Sequence, residues 1–543
     1  MKTNMWQRKS ALLFAMLIIA AFAACKKSKV KPDPAPEPPS SGPNTKQTPT
    51  TNRTELTNDS LFLYAKQIYF WNTTLPSYDE FVPRNYGSDY NKELFNIVKS
   101  SGSADYVSTS GAPKYSYIET IANRNPVATI PDGLLSVDLE GNGNDIGIRP
   151  VFYLSSTSST YSLFITAVYP GSDAAAKGVK RGWLIEKING QTVGANYTNE
   201  RSTVNSALSA SRVTLAGSKF VGGVKQGTFE VVLDKTSYKS NPVYLSKVFA
   251  TSTKKIGYLS LARFSTKENS FDVLDKAFGD FSAQGVTDLI VDLRYNGGGY
   301  INTAEHLINL IVPSGVSGVM YKEYYNSAMQ NKQATILKNQ PYTENDVIQY
   351  KDGKMMNLYD NIDYTVARNT YNFSKVGALT NVTNIVFIVS GNTASASELV
   401  INCLKPKMTV KLVGEKTYGK PIGFFPIRLE NKYDVYYSLF ETKNSLDQGG
   451  YFSGMIPDYA ENAAEPNFFD DPRYEEGDKN EPYLAKAIAV LNPGGLAVQG
   501  NAKTSVLRVA GQDMSFTAEN VLRPVKENSE FVGMIENRLK PRQ

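Results

Sequence analysis

Histidine and cysteine are scarce in this sequence, and their scarcity excludes several kinds of chemistry. Among 543 residues there are one histidine, His306, and two cysteines, Cys25 and Cys403. Zinc sites draw many of their ligands from these residue types, so no metal site is expected, and two cysteines make no disulfide framework. A Ser-His-Asp site would depend entirely on His306. That histidine lies in a segment predicted as a helix, where an isolated histidine is usually structural.

A large excess of charge of either sign is also absent. The formal net charge is +6, and three of the positive charges, on Lys2, Arg8 and Lys9, stand at the start of the chain. The +3 that remains without them is too small to indicate a nucleic-acid partner. We therefore expect neither a nucleic-acid partner nor a cofactor.

The apolar run near the N-terminus, Ala11 to Ala24, is too short to span a bilayer comfortably. It follows basic residues and ends in small residues before Cys25, so residues 1–25 resemble a bacterial lipoprotein signal that is cleaved before a lipid-carrying Cys25. An ordinary secretory signal is the alternative. Residues 26–55 are rich in proline, serine, threonine and lysine, which predicts a solvated linker. We expect a lipid-anchored protein of the cell envelope that faces the periplasm.

A serine stands where a predicted strand passes into a predicted helix. The apolar segment Ile385 to Val389 is followed by small residues around Ser395, and a helical pattern continues through Leu404. A serine at such a turn has an exposed hydroxyl and lies beside helix N–H groups, which favour developing negative charge. Ser395 and Glu398 also fit a capping box, in which the serine only starts the helix.

Two further segments change the balance between these interpretations. Lys420 follows a second apolar segment and a glycine-flanked loop, and burial can lower a lysine pKa enough to make it a base. Three consecutive glycines, Gly297 to Gly299, follow the apolar strand around Val291. Such a loop allows close backbone approach and free N–H donors, which suit an oxyanion hole.

Together the segments Asp292-Leu-Arg-Tyr-Asn-Gly-Gly-Gly299, Ser395-Ala-Ser-Glu398 and Gly414-Glu-Lys-Thr-Tyr-Gly-Lys420 resemble the signature of the tail-specific, carboxyl-terminal processing serine peptidases. The resemblance extends over about residues 55 to 495. It implies that Ser395 is the nucleophile, that Lys420 is the general base, and that the N–H groups of Gly298 and Ala396 form the oxyanion hole. Many members carry a glutamine four residues after the lysine, which orients it, whereas this chain has Phe424, so another group must hold Lys420.

A second resemblance lies between residues 131 and 240. The run from Pro170 to Gly190 resembles a PDZ domain, although Trp183 stands where aspartate is usual. A PDZ domain adds a chain end to its sheet as a strand and holds the carboxylate with backbone N–H groups. The matching loop and strand positions are Gly147 and Ile148. The alternative is a PDZ domain that only braces the active site.

The sequence predicts an α/β protein with a crotonase/ClpP-like catalytic core, an inserted PDZ domain and an N-terminal helical domain. The predicted segments are a signal at 1–25, a linker at 26–55, a helical domain at 56–130, a PDZ domain at 131–240, a peptidase domain at 241–495 and a C-terminal extension at 496–543.

The leading functional hypothesis is a Ser/Lys endopeptidase that cuts proteins or peptides with accessible C-termini. The first alternative is a catalytically weak or inactive lipoprotein that binds peptides through its PDZ domain and cleft. The second is a Ser/His esterase that uses His306. The intact serine, lysine and glycine segments favour the Ser/Lys endopeptidase, and Phe424 gives slight support to the inactive peptide-binding lipoprotein.

Replacing Cys25 by serine tests the proposed lipid anchor. We expect Cys25→Ser to release the protein from the membrane or to block its processing, because acyl chains on that cysteine supply the membrane affinity. Membrane fractionation and mass spectrometry of the mature N-terminus measure both effects. Recovery of the unaltered protein as a soluble chain with an unmodified N-terminus would show an ordinary secretory signal instead.

Overall fold

The mixed arrangement of strands and helices predicted from the sequence is confirmed in the computed structural model of the chain. The structure describes residues 47–121, 137–155, 158–344, 347–461 and 468–493, and the short stretches 506–509, 512–515, 522–525, 533–536, 538–539 and 541. The predicted signal at 1–25, with Cys25, and most of the predicted linker lie outside the described residues. Among the helices that are described, none combines the length and the apolar character needed to cross a bilayer.

The α-helices of the described residues are α1 (Arg53–Ile68), α2 (Tyr78–Phe81), α3 (Tyr90–Ser101), α4 (Asp173–Ala176), α5 (Tyr197–Leu208), α6 (Lys267–Ala283), α7 (Ile301–Ile311), α8 (Ser327–Gln330), α9 (Ala396–Leu404) and α10 (Pro482–Leu491).

The strands are β1 (Tyr117–Thr120), β2 (Asn142–Asp145), β3 (Ile148–Ser155), β4 (Tyr161–Val168), β5 (Trp183–Ile188), β6 (Gln191–Thr192), β7 (Arg212–Val221), β8 (Val224–Asp234), β9 (Thr236–Lys239), β10 (Val243–Ala250), β11 (Lys255–Leu261), β12 (Asp288–Asp292), β13 (Gly298–Tyr300), β14 (Val319–Tyr325), β15 (Thr343–Glu344), β16 (Val347–Ile348), β17 (Tyr350–Lys351), β18 (Lys354–Met355), β19 (Thr370–Asn372), β20 (Asn384–Val389), β21 (Thr409–Gly414), β22 (Ile422–Gly423), β23 (Ile427–Leu429), β24 (Tyr433–Tyr436), β25 (Phe440–Asn444), β26 (Tyr459–Ala460), β27 (Val506–Val509), β28 (Gln512–Ser515), β29 (Leu522–Pro524) and β30 (Gly533–Ile535).

A six-stranded sheet of order β10-β11-β12-β20-β21-β26 forms the centre of the second half of the chain. Strands β11, β12, β20, β21 and β26 are parallel, and β10 is antiparallel at the edge. The runs Leu289-Ile-Val and Ile385-Val-Phe-Ile-Val are buried throughout, as expected for parallel strands that helices cover on both faces. Alternate side chains therefore enter two different cores.

One core lies between the sheet and the helices α6, α7 and α9. It contains Leu289, Val291, Phe387 and many helix residues, and it extends to the N-terminal helices through Phe62 and Ile68. The core on the opposite face contains Ile290, Val386 and Ile388 packed against α10. The N-terminal helices thus share a hydrophobic core with the sheet.

Residues 148–234 build most of a second, seven-stranded sheet, in which six strands have the order β29-β3-β4-β5-β7-β8 and the seventh, β6, pairs with β5. Its core includes Ile165, Ile185 and Leu215, against which α5 packs with Val204 and Leu208. The first strand in this order, β29, comes from the C-terminal extension and pairs with β3 in antiparallel register. The region predicted as a PDZ domain therefore contains a strand from about 370 residues further along the chain.

Candidate active site

The three signature segments follow strands that are neighbours in the central sheet. Strand β12 pairs with β20, with Asp292 opposite Ile388, and β20 pairs with β21, with Ile388 opposite Val413. Parallel strands end at the same edge of a sheet, so the glycine, serine and lysine loops that follow them meet there. The glycine and lysine segments, which are more than a hundred residues apart in the sequence, are brought together by this strand order.

Ser395 has an unusual backbone conformation at the start of α9. Its φ of +60° and ψ of −110° are strained for a residue with a side chain. The residue is completely buried, and among the described residues its hydroxyl has no hydrogen-bond partner. Ser395 and Glu398 are arranged as a capping box at the start of α9, but the hydroxyl itself makes no cap hydrogen bond. A serine on a strained strand-to-helix turn is the arrangement found at nucleophilic serines.

The carboxylate of Glu398 joins the serine loop to the lysine loop. One oxygen accepts hydrogen bonds from the backbone nitrogens of Ser395 and Lys420, each at 2.8 Å. The other accepts from Gly419 N at 2.8 Å and from Thr417 Oγ1 at 2.5 Å. Burial raises the pKa of Glu398, and these four hydrogen bonds oppose the rise. The capping box predicted only the bond to Ser395; the three bonds to the lysine loop had no signal in the sequence.

Lys420 is buried with its amine in a largely apolar environment. Burial lowers the pKa of Lys420 to about 7, although the negative charges of Asp105 and Glu398 partly oppose the shift. The Lys420 amine donates to the backbone carbonyl of Tyr115 at 3.3 Å, and it lies 4.3 Å from the centre of the Phe424 ring. A large fraction of this amine is therefore neutral near pH 7 and can accept a proton.

One group that contacts the Lys420 amine comes from the N-terminal part of the chain. Tyr115 is itself fixed, because its backbone N–H donates to Asp105 Oδ1 at 2.6 Å and its hydroxyl donates to the Gly419 carbonyl at 2.7 Å. A backbone carbonyl thus contacts the lysine amine in place of the expected glutamine. Sequence reasoning missed Tyr115 and Asp105 because nothing local marks them as parts of a site.

The structure brings Gly298 and Ala396 together. A Cβ atom added to Gly298, whose φ is +111°, would lie 3.1 Å from the Ala396 nitrogen. The Gly298 N–H donates to Asn296 Oδ1 at 2.9 Å, and the Asn296 carbonyl accepts from Ala394 N at 3.2 Å and from Ser397 Oγ at 3.0 Å. The backbone carbonyl of Asn296 therefore connects the glycine loop to the serine loop. Because its side chain already accepts the Gly298 N–H, that side chain must move before this N–H can bind an oxyanion.

Arg294 explains the charged part of the glycine segment. Its guanidinium binds Asp292 and Asp470 at 2.8 and 2.7 Å, and Glu481 at 2.9 Å. Asp470 also binds Arg181, which belongs to the region predicted as a PDZ domain, at 2.7 Å. Paired buried charges of this kind fix the position of the loop through hydrogen-bond geometry more than through net free energy.

Gly147 and Ile148 stand at the start of β3, in the seven-stranded sheet. The Gly147 N–H donates to Asp145 Oδ1 at 2.6 Å, and Ile148 is 4% exposed and pairs with Val168. The Ile148 side chain is part of the core of that sheet. Their role in binding a peptide stays a prediction.

His306 lies on α7 and interacts with α6. Its Nε2 is 2.6 Å from Asp275 Oδ1, and its ring stacks on Phe271 with 3.8 Å between ring centres. The Ser395 hydroxyl is not bonded to it, since that hydroxyl has no partner among the described residues. These contacts give His306 a structural position between two helices.

The parts assembled at the sheet edge suit acyl transfer. The Ser395 hydroxyl stands at a helix N-terminus, and the Lys420 amine, whose pKa is lowered, follows a loop that binds the same carboxylate as the serine loop. The Gly298 backbone lies beside the nitrogen of Ala396, the residue after the serine. Nucleophile, base and oxyanion donors are the three components that such chemistry requires.

Comparison with known proteins agrees with this chemistry. Residues 255–460 match the model of peptidase family S41. The chain is 25% identical over 262 residues to a carboxy-terminal-processing protease of Bartonella bacilliformis, covering 47% of this chain and 49% of the relative. It is 24% identical over 258 residues to a carboxy-terminal processing protease of Bacillus subtilis, covering 48% and 44%. The alignments thus span about half the length of these relatives.

A solved structure shares the fold over a larger part of the chain. A Bacteroides fragilis protein assigned to the S41 proteases superposes with a TM-score of 0.54 and 21% identity, covering 82% of this chain and 99% of the other. The family model, the relatives and the fold agree with the three loops at the edge of the central sheet. Residues 255–460 of this chain are therefore similar to peptidase family S41.

Proposed function

We propose that this protein is a serine endopeptidase with a Ser395/Lys420 dyad, and that it cleaves polypeptides near their C-termini. The observation that carries the proposal is the buried Lys420, whose pKa is lowered to about 7. Its backbone N–H and that of Ser395 donate to the same oxygen of Glu398. The relatives named as carboxy-terminal processing proteases support the substrate class.

In the reaction we infer, the Ser395 hydroxyl oxygen attacks the carbonyl carbon of the scissile peptide bond, and the neutral Lys420 amine takes the hydroxyl proton. The N–H groups of Ala396 and Gly298 stabilise the oxyanion. The protonated lysine then gives its proton to the leaving amine as the C–N bond breaks. Water, deprotonated by Lys420, hydrolyses the resulting ester and restores the serine.

We further propose that residues 131–240 are a PDZ domain that recognises the C-termini of substrates. An extended peptide would add to the edge of β3 through main-chain hydrogen bonds, and the turn at Gly147 and Ile148 would hold its carboxylate. The inference that the catalytic core is of the crotonase/ClpP type with an N-terminal helical domain belongs to the same proposal. A lipid on Cys25 would hold the protein at the membrane, on the periplasmic side.

Removing the nucleophile or the base tests the proposed activity. We expect Ser395→Ala and Lys420→Ala each to lower the rate of cleavage of an unstructured protein by roughly 10⁴-fold or more, with no further loss in the double variant. Mass spectrometry of the products measures the rate and locates the cuts. The exposed residues Ser206 and Lys276 supply matched controls, as Ser206→Ala and Lys276→Ala. Near-normal activity in either dyad variant would refute the assignment.

The pH dependence of the rate should follow the ionisation of Lys420. Only the neutral amine accepts the serine proton, so activity should rise with pH through a midpoint near the Lys420 pKa of about 7. Asp105 raises this pKa and Lys114 lowers it, so Asp105→Asn should move the midpoint to lower pH and Lys114→Gln to higher pH. A pH–rate profile for each variant measures the shift. Midpoints that move in the same direction would contradict a lysine base.

Amidation of the substrate C-terminus tests whether the protein recognises chain ends. We expect the unaltered enzyme to cleave a long substrate with a free C-terminal carboxylate faster than the same substrate with an amidated C-terminus, because the amide lacks the charge that the backbone N–H groups bind. Short peptides that enter the active site directly serve as the control and should show little difference. Equal rates for both long substrates would assign the domain a bracing role.

A further inference from the structure

We propose that two segments of the C-terminal extension, residues 522–525 and 533–536, are built-in ligands of the predicted PDZ domain and of the catalytic site, and that they keep the proposed peptidase closed until they are displaced. Residues 522–525 occupy the edge of β3, and residues 533–536 occupy the edge of the glycine loop. The inference rests on the proposed function, since it concerns regulation of the same catalytic site. The ligand class is an extended polypeptide, and the occupant is the chain's own tail.

The second of these segments lies between the glycine loop and the lysine loop. Strand β30 pairs in parallel with β13, with Gly533 opposite Gly298. On its other side, Phe424 N donates to the Met534 carbonyl, and Glu536 N donates to the Phe424 carbonyl, both at 3.1 Å. Main-chain bonds on both sides are how a sheet accepts an added peptide strand, so the tail is bound as a substrate strand would be.

The site is closed in this structure, and the tail lies against it. Ser395 and Ala396 have no exposed surface and Lys420 is 1% exposed, so a substrate cannot reach them in this state. A Cβ atom on Gly298 would collide with the Gly533 carbonyl oxygen and would lie 3.1 Å from the Ala396 nitrogen. The Gly533 carbonyl is therefore next to the predicted oxyanion hole, where the carbonyl of a scissile bond would have to be.

The first segment covers the edge to which the predicted PDZ domain would add a peptide. Strand β29 is antiparallel to β3, with Pro524 opposite Tyr153, and Val525 N donates to the Phe152 carbonyl at 2.8 Å. The Val525 side chain packs against the core of that sheet. An antiparallel strand with an apolar side chain packed beneath it is the binding mode of a PDZ ligand.

The contact of residues 533–538 with the rest of the chain contains carboxyl groups that repel one another, which suits a contact that can be released. Glu536 is buried beside Glu323 and Glu305, and Arg538 is the cation that pairs with Glu305 and Glu536, at 2.8 and 3.5 Å. Burial raises the pKa of both Glu536 and Glu323. Buried carboxyl groups that repel one another reduce the net stability of the contact. The apolar residues Met534 and Ile535 supply the opposing attraction.

Removing or loosening the tail should activate the enzyme. The variants are a chain that ends at residue 532 and the full chain with Met534→Asp, which places a charge at a fully buried position. Val224→Asp, at an exposed position of the seven-stranded sheet, is the matched control. A tethered segment has an effective concentration on the order of millimolar. A tail whose dissociation constant as a free peptide is about 0.1 mM would therefore leave roughly a tenth of the sites open. We therefore expect a roughly tenfold higher rate at low substrate concentration for both variants.

A synthetic peptide of residues 522–543 should restore inhibition of the shortened chain, competitively with substrate. If the shortened chain and Met534→Asp are folded by circular dichroism and cleave at the rate of the unaltered protein or more slowly, the proposal is wrong.

A second measurement does not depend on catalysis or on the shortened chain folding. In the full-length Ser395→Ala protein, a saturating substrate peptide should accelerate hydrogen exchange at the amides of residues 533–536, because the substrate displaces the tail. Unchanged protection with substrate bound would overturn the proposal. A failure of the proposed function differs from both outcomes, since no form of the protein would then show cleavage that depends on Ser395.

Discussion

The buried carboxylate of Glu398 is the interaction on which the arrangement of this site depends. A carboxylate without solvent is costly unless its oxygens are hydrogen-bonded, and here four donors from two loops surround it. Because one oxygen receives the backbone nitrogens of both Ser395 and Lys420, these atoms cannot be further apart than twice 2.8 Å. The need to satisfy one buried carboxylate thus limits the separation of the Ser395 and Lys420 backbones.

The central sheet supplies the second constraint. Parallel pairing of β12, β20 and β21 brings three loops to one edge, and Asn296 and Arg294 fix the first loop against its neighbours. The strained backbone of Ser395 persists because α9 is buried along its whole length and cannot relax toward solvent. Rigid elements therefore hold the serine, while the lysine depends on contacts from outside the sheet.

Much of the site could be predicted because its signals are local. A strand followed by a glycine run, a small-residue turn or a glycine-flanked lysine is visible within about ten residues, and the α/β class follows from the alternation of elements. Glu398 was recognised only as a helix cap, because its bonds to the lysine loop join residues about twenty positions apart. Tyr115 is separated from Lys420 by 305 positions, and no pattern relates them.

The C-terminal extension shows the same limit more strongly. Its strands β29 and β30 are only three residues each, and neither has an alternation long enough to identify its partner. Their pairing is determined by the unpaired edges of β3 and β13, which are distant in the sequence. Edge strands are completed by whatever segment reaches them, so a sequence without a known fold gives no indication of this pairing.

The contact between Tyr115 and Lys420 also affects the order in which the protein matures. The carbonyl comes from the first quarter of the chain and the amine from the last, so the base is assembled only after distant parts of the chain have met. Before that stage Lys420 is solvated, and a solvated lysine is protonated at neutral pH and cannot act as a base. For the peptidase that we propose, a newly made chain is thus inactive until these distant parts have met. Folding of these distant regions would thus delay the proposed activity, in addition to the inhibition that we propose for the C-terminal segments.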